Sequence, residues 1–308
     1  MRKLLAVVVL CVIAGAAAFG EDASVISKGS LRLSHDQNLG FTETEDGLLV
    51  TAGYGAEYAT SNWLNLQLLW NEGIKFHPDL RAGSIFFGAK VYIAGEGSLT
   101  SKEGSAASPL TGKIRASAAL GILIPPGKSE PTLFDQDQML WGTALRIYGD
   151  YQFNQYFYIN AFFESDLYPP QYQSGNLAEY RDWVRHYQDF TFELEAHTRI
   201  PIEKKGIILK FGAPIRYFFA PYMNASDELA TSQYFVSAGT YFGFIFPNRN
   251  PPGEIYLKYN ARIVGHNIRQ AHLVSLVGKV TIPPESLKSN SKNKKSKNVE
   301  AEAEDTEE

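Results

Sequence analysis

Residues 187–282 hold four consecutive segments in which apolar and polar side chains alternate almost without interruption. In 190–202 one face reads Phe190, Phe192, Leu194, Ala196, Thr198, Ile200, Ile202, and the other reads Thr191, Glu193, Glu195, His197, Arg199. A repeat of two residues places successive side chains on opposite faces of a strand. One face suits hydrocarbon. The other carries charges that are costly in a dry core unless they are paired. A soluble sandwich turns its polar face to water and its apolar face to a second sheet. A membrane barrel turns its apolar face to lipid and its polar face inward. The choice between these two decides the class of molecule.

The ends of the chain favour the second. Arg2 and Lys3 precede an apolar run from Leu4 to Gly15, too short to span a bilayer, and Ala18-Phe19-Gly20 fits a small-x-small cleavage pattern. Residues 1–20 are expected to be a removed secretory signal. Cys11, the single cysteine, follows Leu10 rather than a small residue, which argues against lipidation. No cysteine is left for a disulfide framework in the exported part. Removal of Arg2 and Lys3 leaves 27 basic residues against 33 acidic, a formal net charge of −6, which argues against a nucleic-acid partner. Aromatics make up 13% of the chain and charged residues 20%. The mean hydropathy of −0.19 resembles that of a soluble protein, because alternation cancels in an average.

About twelve stretches read as strands of membrane-spanning length, near 27–35, 48–59, 62–71, 84–95, 112–124, 139–153, 156–166, 190–202, 207–219, 233–246, 254–265 and 272–282. Thr60-Ser61, Asn154-Gln155, Glu203–Gly206 and Asn248–Gly253 supply short turns. Longer links at 36–46, 72–82, 125–138, 167–186 and 220–232 fall between them, and 96–111 is a long link on the short-turn side. Pro214 lies mid-strand, where a missing N–H predicts a bulge or a broken pair. Leu177, Tyr180 and Val184 recur at helical spacing and predict a short amphipathic helix in the 167–186 link. After Pro283-Pro284, residues 285–308 carry lysines and then acids, with little apolar surface to bury, and are expected to be a disordered tail.

The face opposite the apolar stripe carries Lys90, Arg115, Arg146, Arg199, Lys210, Arg216, Lys258, Arg262 and Lys279 among the bases. Asp150, Glu164, Glu193, Glu195 and Glu254 are its acids. In a lumen, opposed rows of charge set a transverse field, and a basic excess favours anions. The same charges could instead pair across a narrow barrel and fill it. Trp70, Trp141, Phe153, Phe163, Phe190, Tyr217, Phe219, Phe244 and Phe246 lie near strand ends, where aromatic girdles meet the two membrane interfaces.

Signatures of catalysis are weak. The six histidines show no His-x-x-x-His or His-Glu-x-x-His spacing, and the chain has no Gly-x-Ser-x-Gly and no phosphate loop. No cofactor, metal or enzymatic activity is expected.

With its export signal, alternation, girdles and unequal loops, the stretch 21–284 resembles the general class of outer-membrane β-barrel proteins, porin-like in architecture. The last strand is followed by two prolines and a polar tail rather than ending on an aromatic residue, a departure from the common porins. The resemblance implies an all-β fold, a closed, up-and-down antiparallel transmembrane barrel of about twelve strands. It implies a place in the outer membrane of a diderm bacterium, with both termini periplasmic, and partners in outer-membrane lipid and the barrel-assembly machinery. The reading that follows is a channel for diffusion of small polar solutes. The alternatives are a closed barrel that binds something through its outer loops, and a soluble periplasmic lipid-binding β protein.

Overall fold

The computed structural model describes residues 23, 26–42, 48–77, 81–82, 84–95, 114–124, 141–167, 185–186, 188–202, 205–223, 231–266 and 271–287. Twelve long strands follow one another: β1 Leu31–Thr42, β2 Leu48–Ala59, β3 Leu64–His77, β4 Ile85–Ala94, β5 Ile114–Ile124 and β6 Gly142–Gln152. They continue as β7 Phe157–Leu167, β8 Gln188–Ile202, β9 Ile207–Met223, β10 Thr231–Phe246, β11 Gly253–His266 and β12 Ala271–Ile282. Each strand pairs antiparallel with its neighbours in the chain. β1 also pairs with β12, from Leu31↔Ile282 to Thr42↔Ala271. The sheet therefore closes on itself, and closure removes the exposed edges that an open sheet offers to aggregation. No helix among the described residues is long and apolar enough to cross a membrane; strands do the crossing.

The two faces of the sheet settle which way the apolar stripe looks. Leu120, Leu257, Ile215, Leu68, Phe192, Leu194 and Ile263 are exposed on the outside, Leu120 by 64%. Their neighbours one residue away, Ala119, Lys258, Gln67, Glu193 and Glu195, are buried on the inside. A soluble protein exposes its charges and buries its leucines. This barrel does the reverse, which is stable where the outer surroundings are hydrocarbon.

Short connections join the strands on one rim. Asn154 Oδ1 accepts the N–H groups of Tyr156 (2.8 Å) and Phe157 (2.9 Å), an Asx turn between β6 and β7. Thr60 and Ser61 donate to the Leu64 carbonyl between β2 and β3. Gly206 takes a positive φ of 60° between β8 and β9, a conformation glycine adopts without steric cost. The start of β1 and the end of β12 share this rim.

On the opposite rim the strands run further than their sequence patterns suggested. The links expected at 36–46 and 220–232 shrink to 43–47 and 224–230. The 72–82 link is largely strand: β3 continues to His77, and Arg81–Ala82 pairs back onto Lys75 and Ile74. Hydrogen bonding across the ladder extends strands into segments whose own alternation is poor. Residues 177–184 of the expected helix lie outside the described residues, whereas Arg185–His186 are extended and pair with Met223 and Tyr222. The long link at 96–111 also lies outside them, as do residues 1–20 and 288–308. Pro284–Leu287 form one helical turn, so the first residues assigned to the tail are helical.

Pro214 produces a broken pair rather than a bulge. Its partnership with Glu195 on β8 is retained, but toward β10 the ladder lapses between Gly212↔Tyr241 and Ile215↔Ala238 with the register unchanged. A bulge forms elsewhere. Pairing of β10 with β11 jumps from Val236↔Val264 to Ser237↔Arg262, leaving Ile263 and Val264 both exposed outward.

Candidate functional site: the inner wall of the barrel

Register sorts the inward side chains into rows that run around the wall. One row runs Asn65, Lys90, Ala119, Arg146, Glu164 from β3 to β7. The next runs Tyr148, Phe162, Glu193, Arg216, Ser237, Arg262 from β6 to β11. A third joins Arg115, Asp150, Asn160, Glu195 and Pro214. Bases and acids thus meet across adjacent strands, where side chains directly opposite one another touch.

The pairs that result are specific. Arg146 Nε bonds Glu164 Oε1, and its guanidinium lies 4.0 Å from the centre of the Phe86 ring. Arg115 Nη2 is 2.9 Å from Asp150. Glu193 receives Arg216 Nε at 2.6 Å and has Lys258 Nζ at 3.6 Å. Lys279 Nζ is 3.1 Å from Glu254. Lys210 Nζ sits 5.1 Å and 5.3 Å above the rings of Tyr241 and Tyr256, and Arg262 lies 4.7 Å above Phe235. Cations over ring faces gain from the ring quadrupole, more so when water is excluded.

The densest arrangement surrounds Glu195. Its Oε1 accepts a 2.5 Å hydrogen bond from the Tyr241 hydroxyl and one of 3.4 Å from Asn160 Nδ2, and it lies 3.1 Å from His197 Nδ1. Arg199 Nε donates to His197 Nε2 at 3.2 Å. His197 Nε2 therefore acts as an acceptor, and the ring lies between the Glu195 carboxylate and the Arg199 guanidinium. The Tyr158 ring stacks on His197 at 5.1 Å and carries the Arg199 guanidinium on its face at 4.5 Å. Tyr241 lies flat over Gly212, where a Cβ would come within 2.3 Å of the ring; glycine leaves the space that the ring fills.

All fourteen charged residues singled out in the sequence turn inward, and register brings most of them into contact. Four inward acids escaped that reading: Asp36, Glu57, Asp166 and Asp189. Glu57 draws together Arg32 (3.3 Å), Lys90 (3.9 Å) and Asn65 Nδ2 (2.6 Å). Asp36 accepts the Gly53 N–H at 3.0 Å and the Asn38 amide at 2.8 Å. Glu57 was legible, since it alternates with Ala56 and Tyr58. Asp166 was legible too, as the last residue of the 156–166 stretch, whereas Asp36 and Asp189 fell beyond the expected strand ends. These four bring the two signs close to parity, so a simple basic excess does not describe the wall. In two pairs the base is much the more exposed partner: the side chains of Arg216 and Arg115 are 40% and 31% exposed, against 3% and 2% for Glu193 and Asp150, whereas Glu57, Glu164 and Glu254 are more exposed than Lys90, Arg146 and Lys279.

A second feature was invisible to alternation. The inner face of β3–β7 carries Leu69, Phe86, Leu123, Tyr148 and Phe162 in one buried apolar cluster. Among the described residues no group of three or more His, Cys, Asp or Glu side chains is placed to hold a metal ion.

The girdle residues all face outward. Trp141, Phe153 and Tyr217 are exposed, and Trp70, Phe163, Phe190, Phe219, Phe244 and Phe246 are half-buried against neighbours. Phe163, Phe190 and Phe219 form a band across β7, β8 and β9 with centroids about 6.5 Å apart, toward the long-loop rim. Tyr151, Phe153 and Phe157 cluster at the short-turn rim, as do Phe242, Phe244 and Phe246.

No family model matches the chain, and no curated protein matches it. Solved structures do. An outer-membrane channel from Pseudomonas putida aligns with a TM-score of 0.59 at 8% identity, over 86% of this chain and 100% of that one. The NanC porin aligns over 80% of this chain and 98% of its own at 7% identity, with a TM-score of 0.44. The outer-membrane channel DcaP of Acinetobacter baumannii aligns over 82% and 96% at 12% identity, with a TM-score of 0.32. At these identities the first likeness establishes a shared fold, that of an outer-membrane β-barrel.

Proposed function

We propose that this protein is a channel of the outer membrane of a diderm bacterium, passing small polar solutes by diffusion without chemical change. One observation carries the reading. A closed sheet presents leucine, isoleucine and phenylalanine outward and encloses paired ions and polar side chains. Such an interior is wasteful as a mere structural core, because buried ion pairs barely repay their desolvation. It is serviceable as a hydrated path. In this reading the rim of short turns, where β1 begins and β12 ends, faces the periplasm, and the barrel-assembly machinery inserts the exported chain into lipid.

The solutes favoured are small anions. Arg216 and Arg115 are well exposed, while the acids that pair with them are almost wholly buried, so at these two positions a passing solute meets guanidinium first. Arg146, Lys210, Lys258 and Arg262 supply the field in which it moves. Planar-bilayer recording of the purified protein tests this. Discrete conductance steps with anion preference are expected, and Arg262→Glu should move the reversal potential toward cation preference.

A specific observation favours a second reading. Lys90, Arg146 and His197 are almost wholly buried, as expected of a filled barrel that acts through its loops. Absence of any conductance step, together with loss of surface attachment on deletion of 168–184, would establish that reading instead.

A further inference from the structure

The chain ahead of β1 does not remain at the rim. Ala23 has no exposed surface and Ile26 has 5%. Ala23 packs into the apolar cluster of Leu69, Phe86, Leu123, Ala144, Tyr148 and Phe162, all on the inner face of β3–β7. Its N–H lies 3.3 Å and 3.2 Å from the two carboxylate oxygens of Asp150. Asp150 is itself held by Arg115.

A tight turn connects this inserted segment to the wall. Ser30 N–H donates to the Ser27 carbonyl (3.0 Å), and the two serine hydroxyls are 2.8 Å apart. Gly29 takes a φ of 79° and donates to the Ala59 carbonyl at 2.8 Å; a Cβ there would stand 3.1 Å from Pro284. The turn is thus held by the end of β2 and by the residues that follow β12. It reverses the chain from the interior into β1.

Leucine and phenylalanine on the inner wall of a hydrated barrel lose about 25 cal/mol for each Å² left facing water. The patch on β3–β7 is therefore a surface that gains from a cover, and Ala23 is the residue ahead of β1 that packs on it. We propose that the inner face of β3–β7 is the docking site of the chain ahead of β1, seated through Ala23 and anchored by Asp150, and that the chain so docked stoppers the barrel from the short-turn side. The proposal rests on the channel reading for its consequence, obstruction of a path, but not for the docking itself.

Two measurements separate these layers. In the exported protein, Ala23→Cys and Ile26→Cys, made singly, should resist a membrane-impermeant maleimide. Adding Asp150→Ala, which removes a charged hydrogen bond, should speed labelling about tenfold. Immediate labelling of both cysteines at the rate of a solvent-exposed thiol overturns the docking site. In planar bilayers, deletion of 23–28 should raise the single-channel conductance; equal conductance of the deleted and full chains overturns the stopper. Protected cysteines in a protein that stays electrically silent even after the deletion support the docking site while removing the channel.

Discussion

Arg146 shows how single side chains hold this wall. It is 2% exposed, its charge met by Glu164 and its guanidinium plane by Phe86. Arg146→Ala leaves the Glu164 carboxylate without that partner and should cost about 3–5 kcal/mol, read by urea unfolding in lipid vesicles. The double change Arg146→Met with Glu164→Gln removes both charges and should recover most of the loss. Recovery identifies the cost as that of a stranded charge rather than of lost packing. Gly212 makes the complementary point about space. Gly212→Val drives a side chain into the Tyr241 ring and displaces its hydroxyl from Glu195, with an expected loss of about 1–3 kcal/mol in the same assay.

Along an element, parity decides the consequence of a change. On β5, Leu120 and Ile122 point into lipid while Ala119 and Leu123 point inward. Leu120→Arg should destabilise the barrel by about 2–4 kcal/mol near the bilayer midplane, whereas Leu120→Phe should be nearly neutral, both measured by unfolding from vesicles. Strand ends follow different physics. The stretch expected near 27–35 stops short of Asp36, Gln37 and Asn38, yet pairing with β2 and β12 carries β1 to Thr42. Those three residues still alternate: Asp36 and Asn38 bond to each other on the inside, and the Gln37 amide reaches the Thr51 carbonyl on the outside. Backbone partners on both sides supplied what local propensity withheld.

For the whole molecule, closure is the testable property. The folded protein should migrate anomalously on a gel until heated and should partition into detergent; heat-independent migration at full mass and a detergent-free soluble fraction would exclude the barrel in its membrane setting. In a channel narrowed by its outer loops, deletion of 168–184 should increase conductance while leaving the heat-modifiable form intact.

Much of this was already present in the chain. The strand number, the two-faced character of each strand and the inward set from Lys90 to Arg262 follow from a repeat of two residues, which is local and survives in any register. Which charges neutralise one another was not present. The contact of Arg216 and Lys258 with a shared Glu193, the cover that Tyr241 gives Gly212, and the seating of Ala23 against Asp150 join positions up to 127 residues apart. Such contacts depend on inter-strand register and on closure of β1 against β12, which alternation alone does not encode. Tertiary structure also decided the orientation of the wall. An isolated amphipathic strand has no inside, and it acquires one when the sheet closes and one face is left to the hydrocarbon.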